Sequence, residues 1–271
     1  MVVVPHQDDE VLLSAGILYQ AKKLGRDVKV VIVTNGDCGC SDHTKGQTRL
    51  RETVRGMKIL GISEKDLIFL GYADTGMPKE ESFLWALYQE KDQNKVKRSD
   101  CGKRTYALPE KDEYHMEKYG EHALYTRSMV KQDLRELLLQ YQPSCVITTC
   151  SEDIHGDHAG LCLFLREILK ESGKKENDYP MVFCGLVHSK AGDDLWPERK
   201  GERFTCPKNI GDIKWEERYY FMLPEEMMQK MGKENLKYRA LEEYKTALEP
   251  SACEFLRAFI KDEEIFWKMR W

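Results

Sequence analysis

The chain is defined first by what it does without. No apolar run in its 271 residues approaches the ~20 that a membrane-spanning helix needs, so no transmembrane segment is expected. Neither charge sign dominates. Lys and Arg number 42 and Asp and Glu 46, a formal net charge of −4. Without a cationic excess, nucleic acid and anionic membrane surfaces are poor default partners. No basic stretch with a following apolar block opens the sequence, so no signal peptide is expected. Internal repeats and low-complexity tracts are absent. The nine cysteines are an odd, scattered set with no CxxC pair. They read as reduced thiols of a cytoplasmic protein, not as a disulfide framework. Cys38-Gly39-Cys40 lacks both the spacing and the second pair of a structural zinc site, so it reads as loop.

What is present alternates. Val2 to Val4 reads as a short strand. Val11, Ala15, Leu18 and Ala21 then recur with a helical period, and Gly25 follows. "DVKVVIVTNGD" is a buried strand entering a turn, and 48–60 is a second helix. "DLIFLGY", "SCVITTCSE" and "PMVFCGLVHS" are further strands. Helices at 127–140 and 160–170 stand between the later ones. This order predicts an α/β fold: a Rossmann-like parallel sheet with helices on both faces. One domain over 1–271 is expected, with two departures. Residues 78–125 form a polar insertion with interleaved aromatics, expected to stand over the rim of the sheet. Residues 236–271 read as one or two amphipathic helices.

Ligands of an open parallel sheet bind beyond the carboxyl ends of its strands. His6, Asp8 and Asp9 follow the first strand, Asp37 the second, Asp74 the third, and His155 and His158 the fourth. His188 ends the fifth. The first turn has no glycine before Gly16, which speaks against a dinucleotide-binding loop. His6-x-x-Asp9 can set an imidazole and a carboxylate on one ion, with His158 as a third ligand. Three N/O ligands without thiolate suit a catalytic Zn²⁺ with an open position. Other divalent transition metals, Fe²⁺ or Co²⁺, suit the same set in part. Asp8 would accept a proton from bound water, and His155 would donate to an oxyanion or a leaving amine. Asp153 or Asp157 would fix a histidine tautomer. The plain alternative for the acids is capping of the following helix, and Glu10 is expected to do only that.

"PHQDDE" at 5–10 together with "HGDH" at 155–158 resembles the LmbE-like, PIG-L superfamily of zinc-dependent N-deacetylases. That group includes N-acetylglucosaminylphosphatidylinositol deacetylases and the deacetylases of mycothiol and bacillithiol synthesis. "RLRE" at 49–52, "LGYADTGM" at 70–77 and "KYRALEEYKTAL" at 237–248 look like weaker family stretches. The resemblance implies Zn²⁺ on His6, Asp9 and His158, Asp8 as general base, and His155 as acid or oxyanion donor. It also implies Arg49 and Asp74 as the grip on sugar hydroxyls. Their bland counterparts are an Arg49–Glu52 pair on a helix surface and a turn acid before Gly76. Gln7 departs from the family, where proline is common. The insertion is longer than in small bacterial members, and Tyr114 and His115 are expected to reach the pocket from it.

The expected activity is removal of an acetyl group from an N-acetylated sugar, such as an N-acetylglucosamine derivative, or a related small amide. One alternative keeps the zinc and cleaves larger amide conjugates; another is a non-catalytic Rossmann-like binding module. The expected partner is a small N-acetylated substrate, and a homo-oligomer is left open.

Overall fold

Three valines make a strand too short to stand alone, so β1 (Val2–Val4) depends on its neighbours. It lies between β2 (Val30–Thr34) and β4 (Cys145–Thr149), pairing in parallel with both through Val2↔Val30 and Val2↔Ile147. The computed structural model describes residues 1–172, 180–228 and 232–270. A seven-stranded sheet runs through it in the order β3-β2-β1-β4-β5-β7-β6. The others are β3 (Leu67–Tyr72), β5 (Met181–Gly185), β6 (Tyr219–Met222) and β7 (Glu263–Lys268). The first five are mutually parallel, as the alternation predicts. Strand order reverses between β1 and β4, and the crevice at such a switch point is where α/β sheets hold ligands.

The helices that join the parallel strands are α1 (Asp9–Lys23), α2 (Thr44–Ile59), α5 (Arg127–Tyr141) and α6 (Gly156–Glu171). Val4, Leu12, Ile32, Leu50, Phe69, Leu134 and Phe164 are among the residues buried between sheet and helices. Among the described residues no helix is long and apolar enough to cross a membrane.

The two departures resolve differently. The insertion contributes α3 (Phe83–Gln89) and α4 (Tyr114–Tyr119). Helix α3 lies against α6 so closely that a Cβ on Gly160 would stand 2.8 Å from the Trp85 amide nitrogen. A Cβ on Gly156 would meet the Ser82 side chain at 2.4 Å. The glycines of "HGDHAG" therefore serve helix contact. Tyr114 and His115 do not reach the rim. His115 is buried, its Nδ1 2.8 Å from Asp133 Oδ1, and Tyr72 donates to the same carboxylate at 2.7 Å. Buried polar rings take the nearest partner, and here that partner is on α5.

The C-terminal segment is helical only in part: α7 (Leu236–Leu241) and α8 (Cys253–Arg257). It then returns as β7, antiparallel between β5 and β6 (Cys184↔Trp267, Tyr220↔Ile265). A run such as Ile265-Phe266-Trp267 suits a strand covered on both faces as well as a buried helix, and periodicity alone does not separate them. Trp271 lies outside the described residues.

Helix α1 breaks at Ser14, whose φ and ψ of −144° and 17° are not helical. The groups freed at the break are taken by a buried ion pair. Lys237 Nζ donates to the Leu12 carbonyl at 2.9 Å and to Glu264 Oε1 at 3.1 Å. Glu264 accepts from the Gly16 and Ile17 amides at 2.8 and 3.2 Å. The pair thus replaces the Gly16-to-Leu12 rung of the helix. Removing one partner would leave a charge buried without its counter-ion. Lys237→Ala is expected to destabilise the fold by about 3–5 kcal/mol, read as a lower urea midpoint. An unchanged midpoint would show that the pair contributes nothing.

Candidate metal centre

The turn between β1 and α1 is built under strain. Asp8 has φ 107° and ψ −36°, a region that non-glycine residues rarely enter. What holds it there is the next acid but one. Glu10 is fully buried, and its carboxylate folds back to accept from the Asp8 amide at 3.0 Å. Its other oxygen accepts from the Tyr244 hydroxyl at 2.6 Å. Burial, against the Tyr244 hydrogen bond, pushes the Glu10 carboxyl up to about 8. Glu10 therefore does more than open α1, the one task expected of it: it also fastens the Asp8 backbone. Asp8 makes no side-chain cap to α1 either. Its carboxylate faces the rim, 3.7 Å from Arg49 Nη2. Burial lifts Asp8 to about 6, with Arg49 opposing.

Across the switch point, His158 on α6 meets His6 and Asp9. His6 Nδ1 and His158 Nε2 are 3.2 Å apart, and Asp9 Oδ2 lies 3.4 and 3.2 Å from them. The far nitrogens are both tied to carboxylates: His6 Nε2 to Asp157 Oδ2 at 3.2 Å, His158 Nδ1 to Asp153 Oδ2 at 2.9 Å. An N–H on each far nitrogen leaves two imidazole lone pairs and a carboxylate oxygen facing one another. Such a triangle repels itself unless a positive charge enters it. Without a metal, protons serve. Burial opposes charging of His6, yet hydrogen bonds donated by the ring to Asp157 and Asp9 outweigh it and raise the ring to about 10. Burial likewise opposes charging of His158, and Asp9 and Asp153 overcome it.

The edges of the triangle also suit a metal. A tetrahedral ion with ligands at roughly 2.0–2.1 Å needs ligand separations of about 3.3–3.4 Å. Carboxylates behind the ligating histidines are the usual support of such sites. His155 offers an alternative third ligand, since one ring atom each of His6, His155 and His158 lies within 4.8 Å of the others. The Asp9 triangle is the tighter set, and His155 Nδ1 is already engaged. It accepts from the Asp157 amide at 3.2 Å and caps α6. That bond leaves the other ring nitrogen, Nε2, to carry the proton. Burial and the neighbouring rings of His6, His158 and His188 hold His155 well below the usual histidine range. A neutral ring with one N–H donor results.

His6, Asp8, Asp9, His155 and His158 line one solvent-open cavity of about 360 Å³, which also includes Arg49, Asp74 and His188. Arg49 donates to the Gln7 carbonyl at 2.9 Å, while its Nε is buried without a partner. It does not pair with Glu52, whose carboxylate instead accepts from the Thr246 amide. Asp74 accepts from the Gly76 amide at 3.1 Å, as a turn acid would, and still lies within 4.8 Å of His6 and Asp157.

A profile of the PIG-L family, described as GlcNAc-PI de-N-acetylase, matches residues 1–169. The chain belongs to this family. No curated protein matches it. Solved structures of the same fold include the N,N'-diacetylchitobiose deacetylase of Pyrococcus horikoshii, at 16% identity and TM-score 0.56. That alignment covers 99% of this chain and 82% of the other. The A40926 pseudoaglycone deacetylase Dbv21 aligns at 15% identity and TM-score 0.57, covering 98% and 95%. A zinc-inhibited form of the teicoplanin deacetylase Orf2 aligns at 17% and 0.54, covering 98% and 96%.

In this PIG-L chain Gln7 is fully buried. It donates from Nε2 to the Thr34 carbonyl at 2.8 Å, tying the turn to β2. Several contributors have no role that their sequence context announces. His188 is held by Asp193 (3.0 Å from Nδ1) and stacks on Phe255, centroids 4.9 Å apart. Its position at a strand end was the available signal. Tyr244 and Phe255 lie beyond the matched residues and carry no spacing that points to the rim. Tyr244→Phe removes a donor from the Glu10 carboxyl and is expected to cost about 1–2 kcal/mol of stability. Denaturant titration of both proteins measures it. Equal midpoints would mean that the clamp on Asp8 does not depend on this hydroxyl.

Proposed function

We propose that the chain is a metal-dependent hydrolase that removes the acetyl group from an N-acetylated amino sugar or sugar conjugate. The observation that carries this reading is the electron-rich triangle of His6, Asp9 and His158 beside the Asp8 carboxylate in an open cavity. Family membership supports it. The reading assigns His6, Asp9 and His158 as ligands of a divalent ion, with Zn²⁺ favoured by three N/O ligands without thiolate. Such an ion, when bound, lowers the pKa of a water and polarises the acyl carbonyl.

The remaining chemistry is the chain's own. Asp8 takes the proton of the attacking water, and its elevated pKa suits a carboxylate that must bind a proton and give it up again. Arg49, on the other side of Asp8, keeps that carboxylate aimed at the rim. His155 donates Nε2–H to the carbonyl oxygen as charge develops there, the role left to a neutral ring whose Nδ1 is occupied. Asp153 and Asp157 hold the ligand tautomers. Arg49 and Asp74 hold sugar hydroxyls. All of this sits on one LmbE-like domain, and nine free thiols favour the cytoplasm.

The test is release of free amine from a panel of N-acetylated sugars and sugar conjugates, with and without chelator. Chelation should abolish turnover, and added Zn²⁺ should restore it. Asp8→Ala should retain metal and lose about 10²–10⁴-fold in kcat, whereas His158→Ala should lose the metal. Wild-type turnover in Asp8→Ala would overturn the base assignment. Full metal content in His158→Ala would overturn the ligand set. Asp153→Asn should weaken metal binding by about 10–100-fold; unchanged affinity would remove Asp153 from the site.

A further inference from the structure

Behind the metal centre two sulfurs meet. Cys162 stands on α6 and Cys184 on β5, both buried, with their Sγ atoms 3.9 Å apart. Among the described residues no other two thiols are hydrogen-bonded to each other. The pair is asymmetric. The hydrogen bond with Cys184, opposed by burial and helped by Arg166, holds the Cys162 thiol below the usual thiol range. The same bond, together with burial, pushes Cys184 well up. Cys162 is thus the sulfur better able to supply a thiolate.

The place of the pair gives it reach. Cys162 follows His158 by one turn of α6 and lies on the same helix face. Cys184 lies just before Val187 and His188, whose amides donate to Asp153 Oδ2 at 3.0 Å each. That oxygen also holds His158 Nδ1, at 2.9 Å. The two sulfurs therefore sit on the two elements that fix one proposed ligand. The strand is the firmer of them, because Cys184 pairs with Thr148 in β4 and with Trp267 in β7. A disulfide holds its sulfurs about 2.0 Å apart. Whatever part of that approach side-chain rotation does not supply falls on α6, and with it on His158.

We propose that Cys162 and Cys184 form an oxidation site, closed to a disulfide by hydrogen peroxide, and that closure loosens the hold of His158 on the ion. The Cys162 thiolate attacks one peroxide oxygen and breaks the O–O bond. A sulfenic acid forms, and the departing hydroxide takes the thiol's proton and leaves as water. The Cys184 sulfur then attacks the sulfenic sulfur. The S–S bond forms, the S–O bond breaks, and a second water carries off the Cys184 proton. In sum two thiols lose two electrons, and one peroxide is reduced to two waters. Burial selects the oxidant. A peroxide is little larger than water, whereas a bulky disulfide reagent does not reach sulfurs on residues 3% and 5% exposed. None of the proposed ligands is a thiolate, so this bond acts on the centre only through α6 and β5. The bond itself is independent of the hydrolase reading, and its effect on the ion rests on that reading's ligand set.

The test treats fully reduced protein with hydrogen peroxide, maps the peptides by mass spectrometry and measures Zn²⁺ affinity by chelator competition. A peptide joining Cys162 to Cys184, lighter by two hydrogens, is expected. Zn²⁺ affinity should fall by about 10–100-fold, the range for losing a support behind a ligand. Cys162→Ala should match the reduced wild type in affinity and keep that affinity after peroxide; if it does not fold, Cys184→Ala takes its place. A pair left reduced, a bond from Cys162 to Cys150 instead, a disulfide with unchanged affinity, or an equal loss in the variant overturns the proposal. If the reduced wild type takes up no Zn²⁺, the ligand reading fails separately. Amide hydrogen exchange over residues 155–162 then decides: faster exchange after oxidation supports the coupling, and unchanged exchange overturns it.

Discussion

Two imidazole lone pairs and one carboxylate oxygen, packed within 3.2–3.4 Å of each other, form a centre that demands positive charge. Each of the two histidines is bound from behind. Asp157 holds His6 and, through its other oxygen, the Leu84 amide at the start of α3. Asp153 holds His158 and the amides of Val187 and His188. The triangle is thereby wired to the insertion on one side and to the end of β5 on the other. Displacing either backing acid would free a ring to turn its lone pair away. The sheet matters to function mainly because its switch point brings the ends of β1 and β4 together.

The second constraint is the backbone at Asp8. A positive φ at an aspartate costs of order 1–3 kcal/mol and persists only when its surroundings fix it. Glu10 and Tyr244 supply that fixation from a fully buried position. The benefit is directional. With the turn held, Asp8 and Asp9 point differently although adjacent, one towards Arg49 and the other into the histidine pair.

Much of the rim was legible because its residues break the local pattern. Histidines and acids at strand ends do not suit a core, and the HxDH spacing on a helix start brings His155 and His158 side by side, their rings stacked at 4.6 Å. The parallel half of the sheet was legible from alternation. Glu10 was not, because an acid in a first helical turn looks the same whether solvated or buried. Only Tyr244, 234 positions away, distinguishes the two. Strand β7 was missed for a related reason: its neighbours, β5 and β6, define it more than its own residues do. Tyr114 and His115 were misplaced because an insertion's direction depends on contacts such as Asp133 that its own sequence does not announce.

The stitch in α1 has a consequence for synthesis. Helix α1 leaves the ribosome early, but the lysine and glutamate that fill its broken rung come from residues 237 and 264. The helix that begins with Asp9 can therefore reach its final shape only after residues 237 and 264 have emerged. Until then Glu10 also lacks Tyr244, and the turn that carries Asp8 and Asp9 is without the frame that aims it.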